Sequence, residues 1–476
     1  MDFEIIKFKN SYKKIQMNKL SILILSVLLS NLMNAQTGSI SAEMLKEIKK
    51  SYNSNEPATR ALTNAVTGNE IKKLALSNEK NGKLDDFFKY KVSVKGITNQ
   101  KSSGRCWMFT SMNIMRPKMI EKYNLPAFEY STNYLYFWDI LEKANLFLET
   151  AIKTATLPMD SREVVTIFSS PVGDGGVWNS YVNLVKKYGL VPKEAMPETF
   201  QSEKTSPMNS IINLKLRQEA LKLRELVNAK KGNVEKAKTE SLGAIYRILA
   251  ISLGEPPMEF VWRYKTNSGE IKEQKFTPQE FAKQTLDINF DDYVMLMDDP
   301  TRDYYKLYEI ENDRNVMEGI NWKYINLPAN EIKPFAQASI KANDAMYFSC
   351  DVGKDLNSEV GRSDVGNYDY SALFGVEFGM TKAQRILSRE STSTHGMALV
   401  GFDTDANEKT TKWLVENSWG KTSGADGYII MTDKWFDEYM FRVVINKKYI
   451  DAKILEILKQ KSVLLPPWDP MFQSDN

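Results

Sequence analysis

The chain has 476 residues, room for roughly three average domains or one enlarged one. Apolar residues make up 42% and aromatics 11%, enough for a large core, so an intrinsically disordered chain is excluded. The formal charge of +3 is confined to residues 1–35; the remainder carries 58 basic and 58 acidic side chains, and no nucleic-acid partner is expected.

The N-terminus reads as an export signal. Lys19 precedes Leu20 to Met33, 14 uncharged residues of which ten are aliphatic or Met, and Asn34-Ala35-Gln36 follows. That stretch is shorter than the ~20 residues of a membrane-spanning helix. Met17 makes a better start than Met1, because it leaves the short basic segment Met17-Asn18-Lys19. The expectation is cleavage near Ala35, export to the periplasm or the medium, and no membrane in the mature form. An uncleaved anchor or a buried apolar helix is the plainer alternative.

Residues 36–85 are polar and Lys-rich, with short helical patches, and read as an arm. The loop Thr98 to Gly104 is small and polar, and a helix begins at or just before Cys106. Met108, Met112, Met115 and Met119 recur at helical spacing and predict a core-facing stripe. Pro117 should end or kink that helix. Tyr130 to Leu148 reads as a buried helix, Pro171 to Gly176 as a turn, and Trp178 to Tyr188 as a helix stopped by Gly189. Leu214 to Ala244 reads as one long charged helix. Phe260 to Tyr264 is strand-like, so residues from about 200 to 340 read as a helical insertion with a small sheet. From Ala345 the pattern is β-rich: Met346 to Cys350, Gly396 to Phe402, Trp413 to Asn417 and Tyr428 to Met431 all suit strands.

His395 is the sole histidine. A thiol needs a base to become a thiolate at neutral pH, and imidazole is the usual one. Of the two thiols, Cys106 sits in the segment built for chemistry, and Cys350 reads as an inert buried residue. Cys106 at a helix N-terminus gains from the positive dipole end. Gln100, six residues earlier in a loop that turns back, can bring its amide beside the Cys106 N–H and supply a second oxyanion donor. Gly104 permits close backbone approach, and Trp107 should pack beneath the loop. Asn417 lies across a hairpin from His395, where it can fix the imidazole's orientation and tautomer. Trp419 can shield that bond from water. Taken singly, a lone His is a satisfied core residue and an Asn before Ser-Trp-Gly a turn residue. Together, Gln…Cys-Trp…His-Gly…Asn-Ser-Trp-Gly is far more specific and follows the Cys-His-Asn order of papain-like proteases. One His and two distant Cys cannot make a zinc site, so no metal and no cofactor is expected. Near matches to a phosphate loop at Gly420-Lys421-Thr422 and to a calcium loop from Asp403 lack the required glycines.

Asn99 to Trp107, Phe137-Trp138-Asp139, Gly175 to Trp178, Val182 to Gly189, Cys350 to Lys354, Val415 to Gly420 and Leu465 to Met471 together resemble the bleomycin hydrolase and aminopeptidase C family. The resemblance spans nearly the whole mature chain. It implies an α+β fold, a papain-like cysteine peptidase core with a helical half, a β-rich half and a large mainly helical insertion. The corresponding division is 1–35 extension and signal, 36–90 arm, 91–200 helical half, 201–344 insertion, 345–455 β-rich half and 456–476 tail. The resemblance further implies a catalytic Cys106, His395 and Asn417 with Gln100 as oxyanion donor, peptide substrates, a homohexamer, and a tail lying in the cleft. Asn476, with its terminal carboxylate, and Asp475 would then hold the substrate's α-amino group. The tail's three prolines should keep it extended. Two departures stand out: the family is generally cytoplasmic, and Phe472 replaces its small glycine. The expected activity is removal of N-terminal residues through a thioester. The alternatives are an endopeptidase or other acyl-transfer enzyme on this fold, and a non-catalytic binding scaffold.

Overall fold

The computed structural model describes residues 38–80, 84–286, 288–469 and 471; the expected export signal and residues 472–476 fall outside these. The chain divides into two units, Met1–Leu74 and Ala75–Asn476. In the first, Ser41 caps α1 (Ala42–Lys49) by accepting from the Met44 N–H, and Pro57 opens α2 (Pro57–Gly68). Neither helix buries a residue, and Met44, Leu45 and Ile48 of α1 are exposed.

In the second unit, three helices form one side of the core: α3 (Cys106–Lys122), α4 (Thr132–Lys153) and α5 (Trp178–Tyr188). The first three turns of α3 are buried all round, from Cys106 through Arg116. Its four stripe methionines are all buried, and burying such a side chain is worth on the order of 2–5 kcal/mol against alanine. That packing explains why Pro117 does not end the helix. It stands inside α3, which continues to Lys122 because Met119 and Ile120 anchor the last turn. Ser131 caps α4 through the Tyr134 N–H. Gly189 stops α5 with φ of 74°, and a Cβ there would lie 2.3 Å from the Pro278 backbone, so both conformation and space require glycine.

The long helix expected over Leu214 to Ala244 is two helices, α6 (Ser206–Ala229) and α7 (Val234–Leu253), packed on each other and on α4. Lys230 and Gly232 take positive φ, and Asn233 caps α7 by accepting from the Lys236 N–H. The Gly-Asn pair was the visible signal for that break. The strand expected over Phe260 to Tyr264 is there, paired in a separate two-stranded hairpin.

A 12-stranded sheet forms the other side. Its strands are β1 (Tyr90–Lys91), then, past the hairpin β2 (Phe260–Lys265) and β3 (Ile271–Phe276), β4 (Tyr293–Met297), β5 (Lys306–Ile310), β6 (Lys323–Asn326), β7 (Met346–Cys350), β8 (Leu356–Asn357), β9 (Arg362–Ser363), β10 (His395–Thr404), β11 (Thr410–Glu416), β12 (Tyr428–Thr432), β13 (Met440–Asn446) and β14 (Val463–Leu465). The order is β14-β5-β6-β4-β13-β7-β10-β11-β12-β9-β8, and β1 pairs with β10 beyond the end of β7. Strand β7 is buried along its whole length, as are the first eight residues of β10, which is why both read as continuous apolar runs. Strands β4, β5 and β6 come from the region read as a helical insertion, yet they join the main sheet beside β13. The tail enters as β14, parallel to β5, then turns at Pro466 to Asp469.

Candidate active site

Helix α3 crosses the start of β10 at a residue with no side chain. A Cβ on Gly396 would meet the Tyr347 hydroxyl at 3.2 Å, Thr110 Oγ1 at 3.4 Å and the Trp107 Cα at 3.5 Å. Glycine lets the helix lie against the strand and brings the Cys106 sulfur to 3.5 Å from the Gly396 N–H. His395 precedes it, and Cys106 and His395 line one cleft.

The imidazole tautomer follows from the backbone. Asn417 Oδ1 accepts the Ser418 N–H at 2.8 Å, which identifies that atom as the oxygen. The same oxygen lies 2.7 Å from His395 Nε2, so Nε2 is the protonated nitrogen and Nδ1 is left as the base. Trp419 packs its ring 4.9 Å from the imidazole. Burial pushes the imidazole down to about 4, opposed by the Asn417 oxygen. Burial thus disfavours a lone imidazolium, and the charged ring is stabilised only with the Cys106 thiolate beside it.

Gln100 reaches the site because residues 98–100 run antiparallel to 418–420. The Gln100 N–H donates to Ser418 O at 2.8 Å, and the Gly420 N–H donates to Thr98 O at 3.0 Å. Lys101 then takes φ of 55° with its N–H on Asn99 Oδ1, the turn that sends the loop back toward Cys106. The Gln100 amide is pinned at both ends: Nε2 donates to Ser103 O at 2.6 Å, and Oε1 accepts from Ser418 Oγ at 2.6 Å. The second Nε2 hydrogen takes no partner among the described residues.

The structure thus sets Asn417 on His395, puts His395 and Cys106 in one cleft, and ties Gln100 to Ser418, the neighbour of Asn417. Trp107 packs on the turn before α5, where a Cβ at Gly176 would fall 2.5 Å from its ring, and its Nε1 donates to Asp174 O at 2.7 Å. Gly104 is required because a Cβ there would lie 2.8 Å from Asp174 Cβ. Asp174, read only as part of a turn, holds the nucleophile loop. Its carboxylate accepts the Gly104 N–H at 2.8 Å and the Tyr136 hydroxyl at 2.7 Å, and also binds Thr205 and Asn209. The Asp174 site could not be found from spacing, since its donors come from three separate segments: the loop before α3, α4 and the start of α6. Arg105, wholly buried, forks onto Glu198 at 3.2 and 2.9 Å and donates to Ser103 Oγ. Cys350 is buried, and burial holds its thiol well above the ordinary range, so it is a poor nucleophile. Neither cysteine forms a disulfide among the described residues. Met471 of the tail is buried and lines the cleft with Cys106; Asp475 and Asn476 lie outside the described residues. Among the described residues no group of three metal-ligating side chains occurs, and no helix is long and apolar enough to cross a membrane.

A helix-borne thiol facing a strand-borne imidazole that an Asn orients defines a cysteine peptidase site. The model of the Peptidase C1-like family matches residues 39–472, and the chain belongs to that family. Human bleomycin hydrolase is 37% identical over 446 residues, covering 91% of this chain and 98% of its own. Aminopeptidase C of Listeria monocytogenes is 37% identical over 432 residues, covering 90% of this chain and 97% of its own. The crystal structure of PepW from Lactobacillus rhamnosis HN001 superposes with a TM-score of 0.88 at 38% identity, covering 92% of this chain and 99% of that one.

Cys106→Ala and His395→Ala should each abolish peptide turnover with the fold intact by circular dichroism, while Cys350→Ala keeps most activity. A dead Cys350 variant beside an active Cys106 variant would reverse the assignment. The lowered imidazole keeps its base-competent form as pH falls, so the acid limb of kcat/KM should lie below the ordinary histidine value of 6.5. The alkaline limb should follow loss of the imidazolium–thiolate pair, giving a bell whose two values belong to the pair. A flat profile on intact protein is the contrary result.

Proposed function

We propose that this peptidase removes residues from free peptide N-termini. The Cys106 thiol passes its proton to His395 Nδ1, and the thiolate attacks the scissile carbonyl carbon. The oxyanion takes hydrogen bonds from Gln100 Nε2 and the Cys106 N–H. His395 then protonates the departing amine, leaving a thioester, and accepts a proton from the water that hydrolyses it. Asn417 Oδ1 steadies the imidazolium at both steps. The observation that carries the exopeptidase reading is Met471: the tail reaches the cleft, and this buried side chain lines it together with Cys106. Aminopeptidase C and bleomycin hydrolase, names borne by relatives that match over most of this chain, point the same way.

The same proposal extends to assembly and location. The mature protein is a homohexamer exported after cleavage near Ala35. The uncharged stretch Leu20 to Met33 supports export, and the exposed Met44, Leu45 and Ile48 of α1 offer apolar surface to other subunits. Sequencing the protein from its native host should read from near Gln36, and ultracentrifugation should give six times the monomer mass. An intact Met1 or Met17 in the cytoplasm overturns export, and a monomer mass overturns the assembly.

Fluorogenic peptides with free and acetylated N-termini separate the activities. The free series should be cleaved much faster, and deleting residues 472–476 should narrow that gap by releasing cleavage of blocked or internal bonds. Equal rates on both series with the full chain would make the protein an endopeptidase. An unchanged gap after deletion would move the specificity from the tail to the cleft walls.

A further inference from the structure

Strand register sets the floor of the cleft. Gly396 of β10 pairs with Ser349 of β7, and Ser349 pairs with Arg442 of β13. Paired residues share a face, so a row from no side chain, through a small one, to a long one runs away from the Cys106 sulfur. All three residues line the cleft, and Asp313, on the loop after β5, lines it too. Arg442 is buried with its guanidinium 3.9 Å from the Trp322 ring centroid.

Two groups in this space have their hydrogen-bonding capacity unspent. Ser349 is 2% exposed, and its Oγ has no hydrogen-bond partner among the described residues. The half-buried Asp313 carboxylate takes no hydrogen bond or ion pair from any described side chain, although its backbone C=O accepts from the Trp322 N–H and from Asn179. Burial raises it to about 6, while Arg442 and Lys143 act on it only through their fields. The Lys143 ammonium is already spent on Asp139, Gly173 O and Gly175 O. A partly desolvated carboxylate and an unspent hydroxyl lining one cleft are an acceptor set without its donor.

We propose that Asp313, with Ser349 Oγ, is the subsite that binds an ammonium group of the peptide substrate. The inference rests on the aminopeptidase reading and names the groups that would give it specificity. An ammonium carries three N–H donors and one positive charge, which match a carboxylate and a hydroxyl. The α-nitrogen of the residue being removed stands two bonds from the carbonyl carbon that Cys106 attacks. Whatever reads it must line the same small cleft as Cys106, and Asp313 does. A lysine side chain on that residue offers the same chemistry, so the test distinguishes the two sources.

The experiment compares wild type with Asp313→Asn on four peptides: N-terminal lysine or norleucine, each with a free or an acetylated N-terminus. If the α-ammonium is the ligand, the free-to-acetylated ratio of kcat/KM should fall on the order of tenfold to a hundredfold for both residues, mainly through KM. If the side-chain ammonium is the ligand, only the lysine-to-norleucine ratio should fall by that amount. Either pattern supports the subsite. Both ratios unchanged in a variant whose Cys106 reacts normally with iodoacetamide overturns it. Should the Asn variant fail to fold, Asp313→Glu keeps the charge but moves it by one methylene. The same ratios should then shift by severalfold, and unchanged ratios overturn the proposal equally. Wild type cleaving free and acetylated peptides alike defeats the aminopeptidase reading. The lysine-to-norleucine comparison still decides whether Asp313 binds an ammonium.

Discussion

A thiol carried by a helix and an imidazole carried by a sheet react only if helix and sheet touch where both begin. In this protein that contact is made at Gly396, where a Cβ would crowd the Tyr347 hydroxyl at 3.2 Å and already touch Thr110 and Trp107 of α3. The rest of the site is organised to keep it. The buried fork of Arg105 on Glu198 and the four donors on Asp174 hold the loop entering α3. Deeper along the helix, Arg116 reaches Glu416 at 2.6 Å, one residue before Asn417, and also donates to Gly96 O. Burial raises the Glu416 carboxyl to about 7, with Arg116 pulling it back, so the pair joins the halves at a net cost in desolvation. Breaking such a pair by removing one partner typically costs about 3–5 kcal/mol, since the other charge stays buried.

Ser418 ties the two catalytic functions together. Its N–H fixes the Asn417 oxygen, its hydroxyl fixes the Gln100 amide, and its carbonyl accepts the Gln100 N–H. Orientation of the base and orientation of the oxyanion donor therefore share one residue on one backbone segment. A disturbance there reaches both chemical steps at once, which is what rigid pre-organisation of the charge-stabilising groups demands.

Much of this was readable from the chain. The four residues of the site announced themselves because each sits in a local pattern: a polar loop before a helix, an apolar strand, an Asn-Ser-Trp-Gly turn. The helix stop at Gly189 and the strands β7, β10, β11 and β12 were legible for the same reason, since local period and local punctuation decide them. What could not be read was set by distant partners. Pro117 stays helical because Met119 and Ile120 are anchored in the core. Strands β4, β5 and β6 are short, and only the edge of β13 makes them part of the main sheet. Asp174, Asp313 and Ser349 have no motif; each acquires its meaning from segments that meet only in the folded chain.

The solitary imidazole has an experimental consequence of its own. Because His395 is the one histidine in 476 residues, every histidine resonance in a nitrogen-labelled sample would come from the catalytic base. Its two ring nitrogens differ in kind: one is held on the Asn417 oxygen at 2.7 Å, and the other is left as the base. Their chemical shifts would report tautomer, protonation and thioester formation directly, with no assignment problem and no background, in an enzyme whose chemistry is otherwise invisible to absorbance.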